Sequence, residues 1–111
     1  MSTNVHECGS VCVLAIDGEL NFVNVPEFCR QVEETFDRDG RDFVVDFAEA
    51  TGIDSAGLEA LTRLKRECDE RLGLIKLCNL PETIKKILIL TRLDGQFEQH
   101  ASLDAALGEF V

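Results

Sequence analysis

Apolar residues change their spacing several times along this chain, and each change marks an element. Val11-Cys-Val-Leu-Ala-Ile16 is nearly continuously apolar, the pattern of a strand covered on both faces. The weaker stretch from Val5 to Cys8 precedes the turn-like Gly9-Ser10 and is expected to pair with it as a hairpin. Asp17-Gly18-Glu19-Leu20-Asn21 then reads as a loop. Val25, Phe28, Cys29, Val32 and Phe36 recur at i, i+3, i+4, i+7 and i+11, one face of a helix, with Pro26 suited to its first turn. Asp39-Gly40 should end it, and Phe43 to Phe47 reads as a second buried strand.

The second half repeats the alternation. Leu58, Leu61, Leu64, Cys68 and Leu72 form another helical stripe with charged residues opposite, and Gly73 reads as its C-terminal stop. Leu74 to Cys78 is a third strand, and Pro81 opens a helix carrying Ile84, Ile87 and Leu88 that Gly95 should break. Phe97 is expected in a short edge strand, and Ser102 to cap a last helix with Leu103, Ala106, Leu107 and Phe110. The expected order is β-β-α-β-α-β-α-β-α, an α/β fold with a mixed, mainly parallel sheet and about four helices.

Size and composition narrow the function classes. A chain of 111 residues with 45% hydrophobic residues is expected to be one globular domain with a packed core. It has no apolar run of about 18 residues, so membrane insertion is not expected. Residues 1–7 lack the basic and apolar regions of a secretion signal, which points to a cytoplasmic protein. The net charge of −10 repels nucleic-acid phosphates and steers toward a partner with a basic face. The five cysteines are odd in number and scattered, so they read as reduced, packed thiols. Cys8 and Cys12 flank a turn and are placed to face each other, yet their spacing with His6 or His100 promises no metal site.

Sites in such sheets gather where strands hand over to helices at their carboxyl ends. Two handovers stand out, the Gly18-Glu19-Leu20-Asn21 loop and Gly52-Ile53-Asp54-Ser55-Ala56-Gly57-Leu58. Either Asp54 or Ser55 can cap the helix that follows, and local pattern alone favours capping as the role of Ser55. The small residues Ala56 and Gly57 argue for more, because they leave the Ser55 hydroxyl accessible to another macromolecule. A catalytic serine is disfavoured. The Gly-x-Ser-x-Gly elbow is incomplete, and the only later histidine is His100. No glycine-rich phosphate loop with lysine is present, so no nucleotide cofactor is expected.

Taken together, "DGEL" at Asp17–Leu20, "VVDF" at Val44–Phe47, "IDSAGLEAL" at Ile53–Leu61, "IKKILILTRLDGQF" at Ile84–Phe97 and "SLDAAL" at Ser102–Leu107 resemble the STAS domain family. That module is shared by bacterial anti-sigma factor antagonists and the tails of sulphate transporters. The resemblance spans nearly the whole chain as a single domain, residues 1–111. It implies that Ser55 is phosphorylated by a partner, an anti-sigma factor that is also a serine kinase and that holds the ATP. It also implies that the unphosphorylated protein binds this partner and frees a sigma factor, that a phosphatase resets the switch, and that the chain itself catalyses nothing. Glu19, Leu20, Asn21, Asp54, Ser55, Ala56, Gly57 and Leu58 are then the expected partner-binding residues. Two positions depart from the family pattern. Asn21 stands where many phosphorylated members have aspartate, and Ala56 where a second Ser or Thr is common. A form like this one also occurs in STAS proteins that serve as accessory subunits of lipid-transport ATPases, so a non-phosphorylated scaffold role is the alternative.

Overall fold

A computed structural model describes residues 2–110 of the chain. The strands are β1 (Ser2–Cys8), β2 (Val11–Leu20), β3 (Asp42–Ile53), β4 (Ile75–Cys78) and β5 (Glu98–His100), and the helices are α1 (Val25–Asp37), α2 (Ser55–Glu70), α3 (Glu82–Leu90) and α4 (Leu103–Gly108). The order is the one the spacing predicts. The strands lie in sequence order across one sheet. β1 and β2 form the expected antiparallel hairpin, and β2 through β5 are parallel. Because the three parallel crossovers all step the same way across the sheet, their helices share one face.

The strand alternation sorts the core into two layers. Leu14, Ile16, Phe43, Val45, Phe47 and Leu77 pack against Phe28 and Val32 of α1, Leu61 and Leu64 of α2, and Ile84 and Leu88 of α3. The intervening residues Val11, Val13, Val44 and Cys78 meet Ala106, with Leu103, Leu107 and Phe110 beside it. The short α4 thus covers the other face. Ser102 Oγ accepts the Ala105 amide at 3.1 Å and caps it as expected. Lys76, buried on the same face, pairs with Glu98 under the Phe110 ring, whose centroid is 5.1 Å from Nζ. The hydrogen bonds from Lys76 and then His100 hold the Glu98 carboxyl below its usual range.

Several boundaries differ from expectation: Phe97, expected in the edge strand, lies one residue before β5. The segment 17–20 is the end of a ten-residue β2, and β3 runs on to Ile53 beside it. Polar Asp17 and Glu19 alternate with buried Gly18 and Leu20, so the pattern is that of a strand exposed on one face. Register shifts at Ala15/Asp17 and Gly18/Glu19 place extra residues in β3, and Gly18 sits at one of them with φ +89°.

The helix stops also differ from the glycines read as stops: the left-handed residue lies one before Gly40 and Gly73, and three before Gly95, which sits in a short 3-10 turn (Asp94–Gln96) instead of breaking α3. α1, α2 and α3 each end with a left-handed residue, Asp39, Leu72 and Arg92, at φ +65°, +59° and +63°. The next amide, of Gly40, Gly73 or Leu93, donates 2.8 Å back to Thr35, Cys68 or Leu88. This is the Schellman arrangement with a side chain where glycine is usual. Gly40 and Gly73 are glycine for another reason. A Cβ at Gly73 would overlap the Arg41 carbonyl, and one at Gly40 would overlap Thr35. Leu72, read from the sequence as the last residue of the core stripe, is 85% exposed instead.

Leu72 carries a left-handed penalty without a burial gain. The variant Leu72→Gly should therefore be more stable than the wild type by roughly 1 kcal/mol in denaturant unfolding, with an unchanged slope. A loss of stability would show that the Leu72 side chain contributes contacts.

Candidate functional site

The handovers after β2 and β3 meet because Leu20 and Ile53, the last residues of adjacent parallel strands, are register partners. The Leu20 carbonyl accepts the Asp54 amide at 3.3 Å. The first turn of α2 then sits so close to β2 that a Cβ on Gly57 would overlap this carbonyl and stand 2.7 Å from Ile53 Cγ1. Gly57 is thus set by backbone contact rather than by access to Ser55. An added methyl gains helix propensity of about 1 kcal/mol but overlaps backbone that cannot rotate away.

Asp54 is the N-cap of α2. Its Oδ1 accepts the Gly57 amide at 2.9 Å, while its Oδ2 reaches across the joint and accepts the Phe22 amide at 3.1 Å. The capping role proposed for Ser55 belongs to Asp54. Ser55 is the first residue inside the helix, exposed to solvent. Its hydroxyl stands beside the N–H groups and positive end of the α2 dipole, where a negative charge is tolerated.

Asn21 organises the other half. Its Oδ1 accepts the amides of Val23 and Asn24 at 3.0 and 3.2 Å, and its Nδ2 donates to Glu19 Oε1 at 2.9 Å. Asn24 Nδ2 closes the turn on the Glu19 carbonyl at 2.6 Å. An aspartate would supply the same Oδ1 acceptor but no donor for Glu19, so the asparagine keeps the turn's acceptor contacts, removes a charge and adds the hydrogen bond to Glu19. Between these two residues Phe22 and Val23 are 71% and 67% exposed. Sequence reasoning missed both. Their signal was an apolar pair set between two asparagines, ahead of the Asn24 and Pro26 that mark the start of α1.

An open groove of about 460 Å³ runs beside the joint. Its apolar wall is Phe22, Ile53 and Ile87, and Glu19 and Asp54 supply carboxylates. The expected partner-binding residues divide accordingly. Glu19, Asn21, Asp54 and Ser55 come together at the surface. Leu20 and Gly57 are buried and offer no side chain to a partner, because they form the joint itself. Leu58 is half-buried against the main core, and Ala56 is half-buried in the first turn.

Other sequence candidates separate in space. Cys8 faces Val11, and Cys12 faces Glu7, so the two thiols do not oppose each other. His6 and His100 lie in the two edge strands of the sheet. Among the described residues no group of three metal-ligating side chains gathers. His100 lies opposite Cys78, itself opposite Asp46. From there β3 runs seven residues to Ile53, roughly 20 Å at strand rise, so the imidazole cannot serve as a base for Ser55.

Burial pushes the Cys68 and Cys78 thiols up to about 12 and raises those of Cys12 and Cys29, while Cys8 is exposed. A neutral-pH thiol reagent should modify Cys8 first and Cys29 more slowly, with Cys12, Cys68 and Cys78 reacting only on unfolding. Fast native labelling of Cys68 or Cys78 would contradict this order.

Comparison with known proteins accords with this fold. The STAS domain family model matches residues 2–106. A candidate anti-sigma factor antagonist from Thermotoga maritima superposes with a TM-score of 0.91 at 21% identity, over 96% of this chain and 92% of that one. The Bacillus cell fate determinant SpoIIAA in its phosphorylated form superposes at 0.79 and 17% identity, over 98% and 99%. A sulfate transporter family protein from Wolinella succinogenes does so at 0.70 and 17%, over 92% and 85%. No curated protein matches the chain in sequence. At these identities the superpositions establish the fold, and the match over residues 2–106 establishes the family: the chain belongs to the STAS domain family.

Proposed function

We propose that this chain is an anti-sigma factor antagonist switched by phosphorylation of Ser55. In this reading its unmodified form binds an anti-sigma factor with serine-kinase activity and so releases a sigma factor. The observation that carries the reading is the division of labour at the joint. Asp54 takes the capping hydrogen bond, and the Ser55 hydroxyl is left exposed next to a preformed loop and groove.

The chain acts here as substrate and binding module, not as an enzyme. The partner holds ATP, the γ-phosphoryl passes to Ser55 Oγ, the hydroxyl proton goes to a base of the partner, and ADP leaves. A phosphoserine carries about −1.5 to −2 charges at neutral pH. The helix end tolerates that charge within the fold, but a docking surface already lined by Glu19 and Asp54 must desolvate it and oppose it. A separate phosphatase would hydrolyse the ester and restore binding. The acidic chain fits a cytoplasmic protein-protein role in transcription regulation better than direct contact with nucleic acid.

The likeness to a sulfate transporter family protein supports a second reading, a STAS module that serves constitutively as a transporter accessory or scaffold, for example on a lipid-transport ATPase.

The purified kinase-type anti-sigma factors of the source genome, with ATP and magnesium, distinguish the two readings. Mass spectrometry should find one phosphoryl group, on Ser55, and Ser55→Ala should remove it while binding persists. Ser55→Asp should weaken binding by roughly 10²–10³-fold, about 3–4 kcal/mol. Absence of label at Ser55 refutes the switch. Co-purification with a transporter ATPase that is indifferent to Ser55→Asp supports the scaffold.

A further inference from the structure

Phe22 and Val23 are adjacent, apolar and largely solvent-exposed, although five hydrogen bonds fix the turn that carries them. Single exposed apolar residues are ordinary on any protein surface. A held apolar pair beside a groove with further apolar wall is different, because its ordering cost is already met before a partner arrives. Four of the five hydrogen bonds lie within residues 19–24 and serve the start of α1. The fifth comes from outside. It is the Phe22 amide on Asp54 Oδ2, across 32 residues of sequence.

We propose that Asp54 is a positioning residue for docking: its second carboxylate oxygen holds Phe22 and Val23 as a preformed apolar anchor for a protein partner whose contact surface is apolar and ringed by lysine or arginine. The inference deepens the reading above and rests on its docking role. The partner's chemistry follows from the site. Phe22, Ile53 and Ile87 offer apolar wall, and Glu19 adds a carboxylate to the same groove, while both oxygens of Asp54 are taken up within the chain. The whole chain carries a charge of −10, so a basic rim is both attracted and selected. One carboxylate thereby links the start of α2 to the pose of the anchor, and a change next to it at Ser55 acts on both.

Asp54→Asn separates the two duties. Asparagine remains a good helix cap through Oδ1, but its amide presents a donor to the Phe22 amide and cannot accept from it. By NMR, the Phe22 amide should exchange roughly tenfold faster in this variant while the Gly57 amide keeps its protection. Asp54→Ser keeps one cap oxygen, also lacks the second acceptor, and should behave alike, which guards against a folding defect. An unchanged Phe22 exchange rate in both variants overturns the positioning role.

A synthetic amphipathic helical peptide of leucine and lysine serves as a partner probe. It should shift the Phe22 and Val23 resonances of the wild type, less so those of Asp54→Asn, and a leucine and glutamate peptide should not. Shifts confined to other surfaces, or equal effects of the two peptides, overturn the proposed partner chemistry. With a purified kinase-type anti-sigma factor, Phe22→Ala should lose at least about tenfold in affinity. Asp54→Asn should then cost little more in the Phe22→Ala background, because both changes remove the same anchor. Additive losses would mean that Asp54 touches the partner directly and overturn positioning. If Phe22→Ala binds like the wild type while phosphorylation of Ser55 still abolishes binding, the anchor fails and the switch stands. If no anti-sigma factor binds the wild type while the exchange and peptide results hold, the switch fails and the anchor stands.

Discussion

The Leu20 carbonyl is the point on which the candidate site of this molecule depends. It accepts the Asp54 amide, and it stands where a side chain on Gly57 would have to be. Both constraints draw the first turn of α2 onto the end of β2. The parallel pairing of Leu20 with Ile53 makes that approach possible, because it ends two strands at the same level of the sheet. Remove the close approach and the loop after β2 loses its neighbour, and with it the groove between that loop and α3.

Within this joint the polar side chains carry separate loads. Asp54 caps α2 with one oxygen and holds the Phe22 amide with the other. Asn21 closes the loop that opens α1. Ser55, relieved of capping, faces solvent. An exposed hydroxyl at a helix N-terminus can accept a charged group without unfolding its helix, while the surface it shares with Glu19 and Asp54 changes its electrostatic character. Fold stability and surface charge can thus respond differently to a charge added at Ser55.

The two-layer core shows how much of this arrangement comes from alternation alone. Inward and outward residues of β2 and β3 were both apolar, which read correctly as strands covered on both faces. The helical stripes of α1, α2 and α3 likewise named their buried residues, Phe28, Val32, Leu61, Leu64, Ile84 and Leu88 among them. Ends of elements were less legible. Gly40 and Gly73 looked like stops, yet the left-handed residues are Asp39 and Leu72, and the glycines answer to close backbone contacts. No local pattern encodes the Arg41 carbonyl that Gly73 must clear, since that atom arrives from the segment between α1 and β3. Asp17–Leu20 read as a loop because its polar residues outnumber its apolar ones, although it continues β2 with alternating burial.

By itself, the sequence determined the element order, the core stripes, the acidic surface and a small polar stretch at a strand-to-helix handover. Each follows from spacing or composition within one segment. Only the tertiary structure decided which residue at that handover caps and which is free, because the choice turns on where the Gly57 amide points. It also decided that Leu20 and Gly57 are structural, since both are judged by atoms 32 or more residues away along the chain. The exposure of Phe22 and Val23 emerged the same way. Apolar residues are read as core until a fold shows them held outside it, and here a carboxylate from the next handover does the holding.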